Sequence, residues 1–505
     1  MTQKTVIWLT IAVYVVFIAA VGIMGAKKSK NITEFTVGKR NAGAWLSAFS
    51  YGTAYFSAVM FIGYAGGTGW KYGLWGVLPG VGNAIIGSLL AWVVLAKKTR
   101  EITRQHKIKS MPQLFEKRFH STGMKNFCTA VIFLFLIPYS ASVYKGLTSV
   151  CSVLLGVEEN VCMIVIALAS LLIVVLGGYG ATLKADFVQG AIMLIGVVLL
   201  IIGVIKSDTV GGFTEGLHSI AQETKNLNLT PASHIGLWAT VLMTSFGTWG
   251  LPQMIHKYYG IRDNHEVKRG TVISTFFALI VAGGGYFIGS LAHLFFSSLD
   301  EIPGAGAGKT DYLIPHMLKM SQISDVLIGV ILVLLIAASV STLSSITITA
   351  TSTLTMDFLA PVVMKTTDKV KEAKTTKILC IIFVVLSYAI ANSNTPILDM
   401  MSYSWGIISG SFLAPYALSL YCKKLNTKGA WAGILSGFIT ALPPVICKLL
   451  NLDAALPLFG KIMDMGPHFA CLAMIISLIM CLTVTKATKG SSADNEKFYV
   501  ISNAE

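Results

Sequence analysis

Charge is what this chain of 505 residues has least of. Only 12% of its residues are charged, against 54% hydrophobic, whereas a soluble protein carries roughly 25% charged residues. So few polar groups could not cover a globular surface of this size, which excludes a soluble enzyme. Cysteine is sparse and unorganised. Eight residues stand singly, mostly inside apolar runs, as at Cys128, Cys162 and Cys471. With no CxxC and no Cys/His cluster, neither a disulfide framework nor a metal-cysteine site is expected. The cysteines read as small hydrophobes between helices. Acidic residues are outnumbered: 24 Asp and Glu face 39 Lys and Arg, a formal net charge of +15. The basic residues cluster in short loops without interleaved aromatics, so no nucleic acid partner is expected.

What the chain does have is apolar runs of about 18 or more residues from end to end, each long enough to cross a ~30 Å hydrocarbon layer. A transmembrane β-barrel would instead alternate over about 10 residues per strand. The fold class expected is an all-α polytopic membrane protein of about thirteen spans, since helices satisfy their own backbone groups in lipid. The spans fall near 6–26, 43–69, 72–96, 124–150, 159–178, 183–206, 234–257, 269–299, 322–356, 377–393, 397–421, 429–450 and 466–485. The first run has one Lys before it and no A-x-A site, so it reads as a retained span. Alternate loops carry most of the Lys and Arg, among them Lys27, Lys28, Lys30, Lys39, Arg40, Lys97, Lys98, Arg100, Arg104, Lys107, Lys109, Lys117 and Arg118. The positive-inside rule makes that side cytoplasmic. The N-terminus is then outside, the C-terminal tail inside, and the location a cell inner (cytoplasmic) membrane. The net charge reports topology and contact with the anionic leaflet.

Two spans look interrupted. One reads Gly52-Thr53-Ala54-Tyr55-Phe56-Ser57-Ala58, followed by Gly63, Gly66, Gly67 and Gly69; the other reads Thr244-Ser245-Phe246-Gly247-Thr248-Trp249-Gly250-Leu251-Pro252. They stand first in two successive blocks of five spans. Paired interruptions of this kind point to a secondary transporter with inverted repeats, although Gly is also common at ordinary helix contacts in membranes. In span nine, Ser341, Ser344 and Ser345 fall at i, i+3 and i+4 on one helical face. Their hydroxyls, with carbonyls from a broken helix, suit a hard monovalent cation. The bland alternative is back-bonding to i−4 carbonyls. Asp186, near the cytoplasmic start of span six, is an ionisable residue at the membrane boundary and so a functional candidate. Its bland alternative is a pair with Lys184 or a loop Arg.

These stretches resemble the sodium:solute symporter family, with its sodium/pantothenate and sodium/proline symporters nearest in look. The matching segments are TAYFSAVMFIG (53–63), WKYGL (70–74), GGYGATLKADFVQGAIMLIG (177–196), GLPQMIHKYYGIRD (250–263), AASVSTLSS (337–345) and NTKGAWAGILSG (426–437). The resemblance covers about residues 5–485. It implies a leucine-transporter-like fold, a five-plus-five inverted repeat with three additional helices. The division is then an extra helix and cytoplasmic loop (1–42), a first repeat (43–206), an extracytoplasmic loop (207–233), a second repeat (234–421), two C-terminal helices (422–485) and a cytoplasmic tail (486–505).

The resemblance further implies Na⁺ as coupling ion, held by the carbonyls of Thr53, Phe56 and Ala338 and the hydroxyls of Ser341 and Thr342. Some members hold a second sodium, and its positions match Asp186, Ser341, Ser344 and Ser345. Asp186 also occurs in members thought to use one ion, so one and two ions per cycle both stay open. Solute-facing positions match Ser57 and Met60, Asn83, Thr248 and Trp249, and Trp405 as an outer gate. Three departures stand out. Tyr55 replaces the proline symporters' acidic residue, Ile407 falls near the sugar transporters' glutamine, and Pro138 stands at the sialic-acid type's arginine. Sugar and sialic acid are thereby disfavoured, and the first departure counts against proline itself. Lys145, in the outer part of span four, is an anchor for a substrate carboxylate, a snorkelling residue or half of an ion pair.

Other features lead nowhere. Pro303–Thr310 approaches a P-loop but puts Pro where the motif needs Gly and has no strand before it. His256, Lys257 and His265 read as headgroup contacts at the cytoplasmic end of span seven. Asp357 reads as a helix-end charge and Asp399 as a loop-facing one. The function expected is Na⁺-coupled symport of a small organic solute (an amino acid, pantothenate or another carboxylate) by alternating access, by a monomer in the lipid bilayer. A proton-coupled carrier using Asp186 and a solute sensor that does not transport are the alternatives. An enzyme is not expected, because no nucleophile–base pair stands out.

Overall fold

Backbone polar groups have no water to bond in hydrocarbon, so a chain of apolar runs closes its hydrogen bonds within helices. The computed structural model describes residues 8–17, 20, 32–303, 309–393, 395–452, 457–488 and 498–499. Helix occupies every one of the thirteen expected ranges as far as they are described. Seven described helices are long and apolar enough to cross a membrane, or eight if the bent pair Thr427–Ala441 and Pro443–Leu449 makes one span. Several of the rest are shorter because they are broken. The basic residues 27, 28 and 30, most of the tail after 488, and the centre of the P-loop-like stretch (304–308) lie outside the described residues.

The polar helix Asp325–Leu354 runs through the middle of the bundle. It packs on Glu159–Ile205, Thr122–Leu155 and the helix Ala44–Tyr55. Almost every residue from Ile331 to Thr353 is buried, so its hydroxyls face protein and not lipid. The outer surface is apolar, with Leu168, Leu172, Ile195, Val385 and Ile439 exposed, as a lipid-facing surface requires. The C-terminal helix Gly466–Thr488 packs on Thr427–Ala441 and Ile397–Tyr421.

Glu159–Ile205 bends sharply at Gly178, whose φ of 58° lies in the left-handed region. Only glycine adopts that backbone without strain, and a Cβ there would meet Phe35. This is the junction expected between the spans 159–178 and 183–206. A close approach also holds the first broken helix. Added Cβ atoms at Gly69 and Gly289 would clash with the carbonyls of Gly289 and Ala65, so the helices Ala65–Tyr72 and Gly284–Ser290 touch backbone to backbone.

Both expected interruptions are present. Helix Ala44–Tyr55 ends at Phe56, whose backbone is extended (φ −104°, ψ 114°). The chain resumes at once as a wide π-helical turn over Val59–Tyr64. The second interruption follows Pro231–Phe246. A 3₁₀ turn, Gly247–Trp249, leads to an extended Leu251, and the helix restarts as Pro252–Tyr259. Pro252 explains this one: proline disfavours the helical conformation in the residue before it and suits the first turn of the next helix.

Candidate functional site

A broken helix frees backbone groups that neighbouring protein must satisfy. At the first break the polar helix does so. Ser339 Oγ accepts from the backbone N–H of Ala58 at 3.4 Å. Thr342 Oγ1 donates to the carbonyl of Thr53 at 2.9 Å and to that of Ala338 at 3.0 Å. Three of the five expected sodium ligands thus meet at one point. Phe56 ends the same helix, where the last carbonyls have no partner within the helix.

Ser341 reaches a second cluster. Its hydroxyl donates to Asp186 Oδ1 at 2.5 Å. The other carboxylate oxygen of Asp186 accepts from Ser50 Oγ and from Lys257 Nζ at 3.2 Å. Lys257 also donates to Ser50 Oγ and Ser345 Oγ, each at 2.8 Å. All these side chains are buried. The expectation that Lys257 and His256 contact headgroups is therefore corrected. The break at Leu251–Pro252 leaves the short helix Pro252–Tyr259 wholly buried, so Lys257 faces the bundle interior and His256 packs against Tyr179 and Tyr259. Asp186 pairs with Lys257 rather than with Lys184 or a loop Arg. Ser344 belongs to the same stripe, but its buried hydroxyl has no hydrogen-bond partner among the described residues.

The expected solute positions gather around Tyr55, which links the two breaks. Its hydroxyl donates to the carbonyl of Thr244 at 2.7 Å. Its ring lies 4.2 Å from that of Phe56 and 6.3 Å from that of Trp405. The side-chain amide of Asn83 is 3.0 Å from the Tyr55 hydroxyl and 3.1 Å from Thr244 Oγ1. Thr248 Oγ1 donates to the carbonyl of Ser245 at 2.9 Å, and Trp249 Nε1 to that of Ile86 at 3.0 Å. Trp405 stands perpendicular to Tyr139 at 5.6 Å. Ser57 and Met60 are buried at the first break. Lys145 lies apart from this group. Its ammonium donates to the carbonyls of Ser393 (3.1 Å) and Thr395 (2.8 Å) in the loop before Ile397–Tyr421.

Two further charges are more buried than their sequence positions imply. Asp357 accepts from Ser110 Oγ at 2.5 Å and Gln113 Nε2 at 2.6 Å, tying the end of the polar helix to Met111–Phe119. Asp311, in the 3₁₀ turn Lys309–Tyr312 just before Leu313–Met320, accepts from the backbone N–H of Ile397 at 3.2 Å. Burial pushes its carboxyl up to about 6, with the Ile397 N–H and the charge of Lys145 opposing the shift.

The family model described as "Sodium:solute symporter family" matches residues 35–437. This chain belongs to the sodium:solute symporter family. It is 22% identical to the sodium/proline symporter of Salmonella typhimurium, over 88% of each chain. It is 24% identical to the osmoregulated proline transporter of Bacillus subtilis, over 96% of each. It is 24% identical to the sodium/pantothenate symporter of Haemophilus influenzae, over 90% of this chain and 94% of that one. Among solved structures, a Na⁺-coupled sialic acid symporter in a substrate-bound outward-open state has a TM-score of 0.76 at 18% identity, covering 95% and 97% of the two chains. A nucleobase-cation-symport-1 family transporter has a TM-score of 0.57 at 11% identity, covering 93% and 99%. The fold is that of the Na⁺-coupled symporters. The protein is a multi-pass, secondary active symporter that imports a small organic solute with Na⁺; it is not an enzyme.

Ser50 and Lys257 are not among the site residues expected from the sequence. Ser50 lies three residues before Thr53, on the same face of the first broken helix, which was the available signal. Lys257 had none, because its direction depends on the bend at Leu251–Pro252.

Proposed function

We propose that Na⁺ binds where Thr342 meets the first break, held by the carbonyls of Thr53, Phe56 and Ala338 and the hydroxyls of Ser341 and Thr342. The observation that carries this reading is the approach of Thr342 Oγ1 to two carbonyls from different helices. A cation there would join the broken helix to the polar helix through two carbonyls that already lie within about 3 Å of the Thr342 hydroxyl. Ser341 fits as a ligand because its proton goes to Asp186, leaving its oxygen lone pairs free. Ion binding would order the first break and thus the solute residues Ser57 and Met60 beside it. The solute would then allow closure outside and opening inside. Coupling of this kind is a difference in ion affinity between states. The membrane potential adds about 2.3 kcal/mol per charge per 100 mV.

The solute site in this reading comprises Ser57, Met60, Asn83, Thr248, Trp249 and Trp405. These side chains carry no charge, which favours a solute whose charges balance internally, and a small amino acid foremost. Proline and pantothenate enter because relatives are named for them. Tyr55 stands among these residues, while Lys145, held by the carbonyls of Ser393 and Thr395, would meet the solute only on its way in. The protein would work as a monomer in the cytoplasmic membrane with its C-terminus inside, an orientation the basic loops support. The division of the chain into repeats at 43–206 and 234–421 follows the two breaks.

The test is reconstitution in liposomes with labelled proline, other amino acids, pantothenate, short carboxylates and sugars, with and without an inward Na⁺ gradient. Sodium-dependent accumulation of an amino acid is expected. Accumulation of none of these solutes would overturn the reading.

A further inference from the structure

The second sodium position implied by the family resemblance already contains a cation. Asp186, Ser341 and Ser345 are drawn together, with Ser50, around the ammonium of Lys257. An ammonium has three hydrogens to donate, and Lys257 has three acceptors: Ser50 Oγ and Ser345 Oγ at 2.8 Å and Asp186 Oδ2 at 3.2 Å. Asp186 in turn accepts from Ser50 and Lys257 on one oxygen and from Ser341 on the other. The ring of Tyr179 closes one side, 5.7 Å from Nζ. Neither Lys257 nor Asp186 is reached by solvent to any extent (3% and 0% exposed side chains).

We infer that the Lys257 ammonium is the resident cation of this second position, so that a single Na⁺ moves with each solute. The inference deepens the symport reading and rests on it. Charge balance is the physical reason. One carboxylate faces one ammonium in a buried cage, and buried charges are tolerated when paired and hydrogen-bonded. A sodium added beside Lys257 would leave the cage with an uncompensated positive charge. Unlike a bound ion, the ammonium is tethered to the second broken helix through Pro252–Tyr259. It cannot leave on the inner side, so its bond to Asp186 contributes to the fold throughout the cycle and carries no ion across. The unpartnered hydroxyl of Ser344 is the remnant. It lies on the sodium-type face of the polar helix, and the lysine makes no use of it.

The inference predicts what removal of the ammonium does. Without it, one carboxylate and the hydroxyls of Ser50, Ser341, Ser344 and Ser345 remain, an all-oxygen set of net charge −1. Hard cations take such ligands.

The experiment is equilibrium binding of ²²Na⁺ to the purified full-length protein in detergent, which needs no knowledge of the solute. The wild-type chain is expected to bind one Na⁺ with a Hill coefficient near one. Lys257→Ala is expected to bind two, and Asp186→Asn combined with Lys257→Ala one again. A merely structural role for Lys257 would not raise the ion count. Two ions in the wild-type chain, or one in a folded Lys257→Ala variant, overturns the inference. No bound sodium in the wild-type chain overturns the main-site reading, and this one with it. If Lys257→Ala does not fold, the wild-type count decides alone: one supports the inference and two overturns it.

Discussion

The hydroxyl of Thr342 lies 2.9 Å from the carbonyl of Thr53, although 289 residues separate them in the chain. One residue belongs to an unbroken helix and the other to the end of a broken one. Removing the hydroxyl while keeping the shape tests the contact as an ion site. Thr342→Val is expected to raise the half-saturating Na⁺ concentration about 10- to 100-fold, the equivalent of about 1–3 kcal/mol for one lost polar contact. Thr342→Ser, which keeps the oxygen, should stay within about threefold of wild type. The measurement is solute uptake at graded external Na⁺.

Ser341 serves both clusters, since it donates to Asp186 at 2.5 Å and is a proposed ligand of the ion. Ser341→Ala should therefore raise the sodium requirement sharply, by at least as much as Thr342→Val. A sodium dependence identical to wild type would remove Ser341 from the ion site.

Trp405 is almost wholly buried between Tyr55 and Tyr139. As an outer gate over the solute it should matter for solute and not for ion. Trp405→Phe is expected to weaken solute binding about tenfold, the loss of roughly one aromatic contact. Sodium binding measured without solute should be unchanged. Equal losses in both would show that Trp405 supports the fold and not the solute.

Asp311 gives the protein a pH dependence that can be read by thermal melting in detergent. Its carboxyl is pushed up to about 6 in the folded chain, against about 3.9 when unfolded. The folded state therefore holds the proton more tightly. Stability falls as pH rises from about 4 to about 6 and is flat beyond, by up to roughly 3 kcal/mol from this group. Asp311→Asn keeps an acceptor for the Ile397 N–H and should abolish that fall. A fall of the same size in the variant would assign it to another group.

The backbone contact between Gly69 and Gly289 leaves no room for a side chain. Gly289→Val should abolish recovery of folded protein from the membrane, measured as monodisperse yield after detergent extraction. Gly180→Ala is the control, since a Cβ there meets nothing within 4 Å among the described residues, and it should extract like wild type.

Both interruptions were legible in the sequence, because glycines, small residues and Pro252 disrupt an apolar run visibly. The serine stripe was legible for a similar reason. Hydroxyls at helical spacing inside a membrane span stand out against Leu, Ile and Val. The chain also announced its class through scarcity of charge, since lipid is the one surrounding in which so apolar an exterior is stable. Which oxygens meet was a different matter. Thr53 and Thr342 were expected together only through family resemblance, and nothing in spacing links them.

Composition and periodicity determined that the protein is a helical membrane bundle with two broken spans and a polar helix. Those properties are local, because each depends on neighbours within a few turns of the same helix. Only the tertiary structure decided where Lys257 goes. In the sequence it is a basic residue after a span, of the kind that contacts headgroups. The bend at Leu251–Pro252 instead turns it inward, to Ser50, Asp186 and Ser345. Those three residues come from three other helices. A buried charge is paired by whatever the packing brings to it, and that pairing is set by the whole bundle.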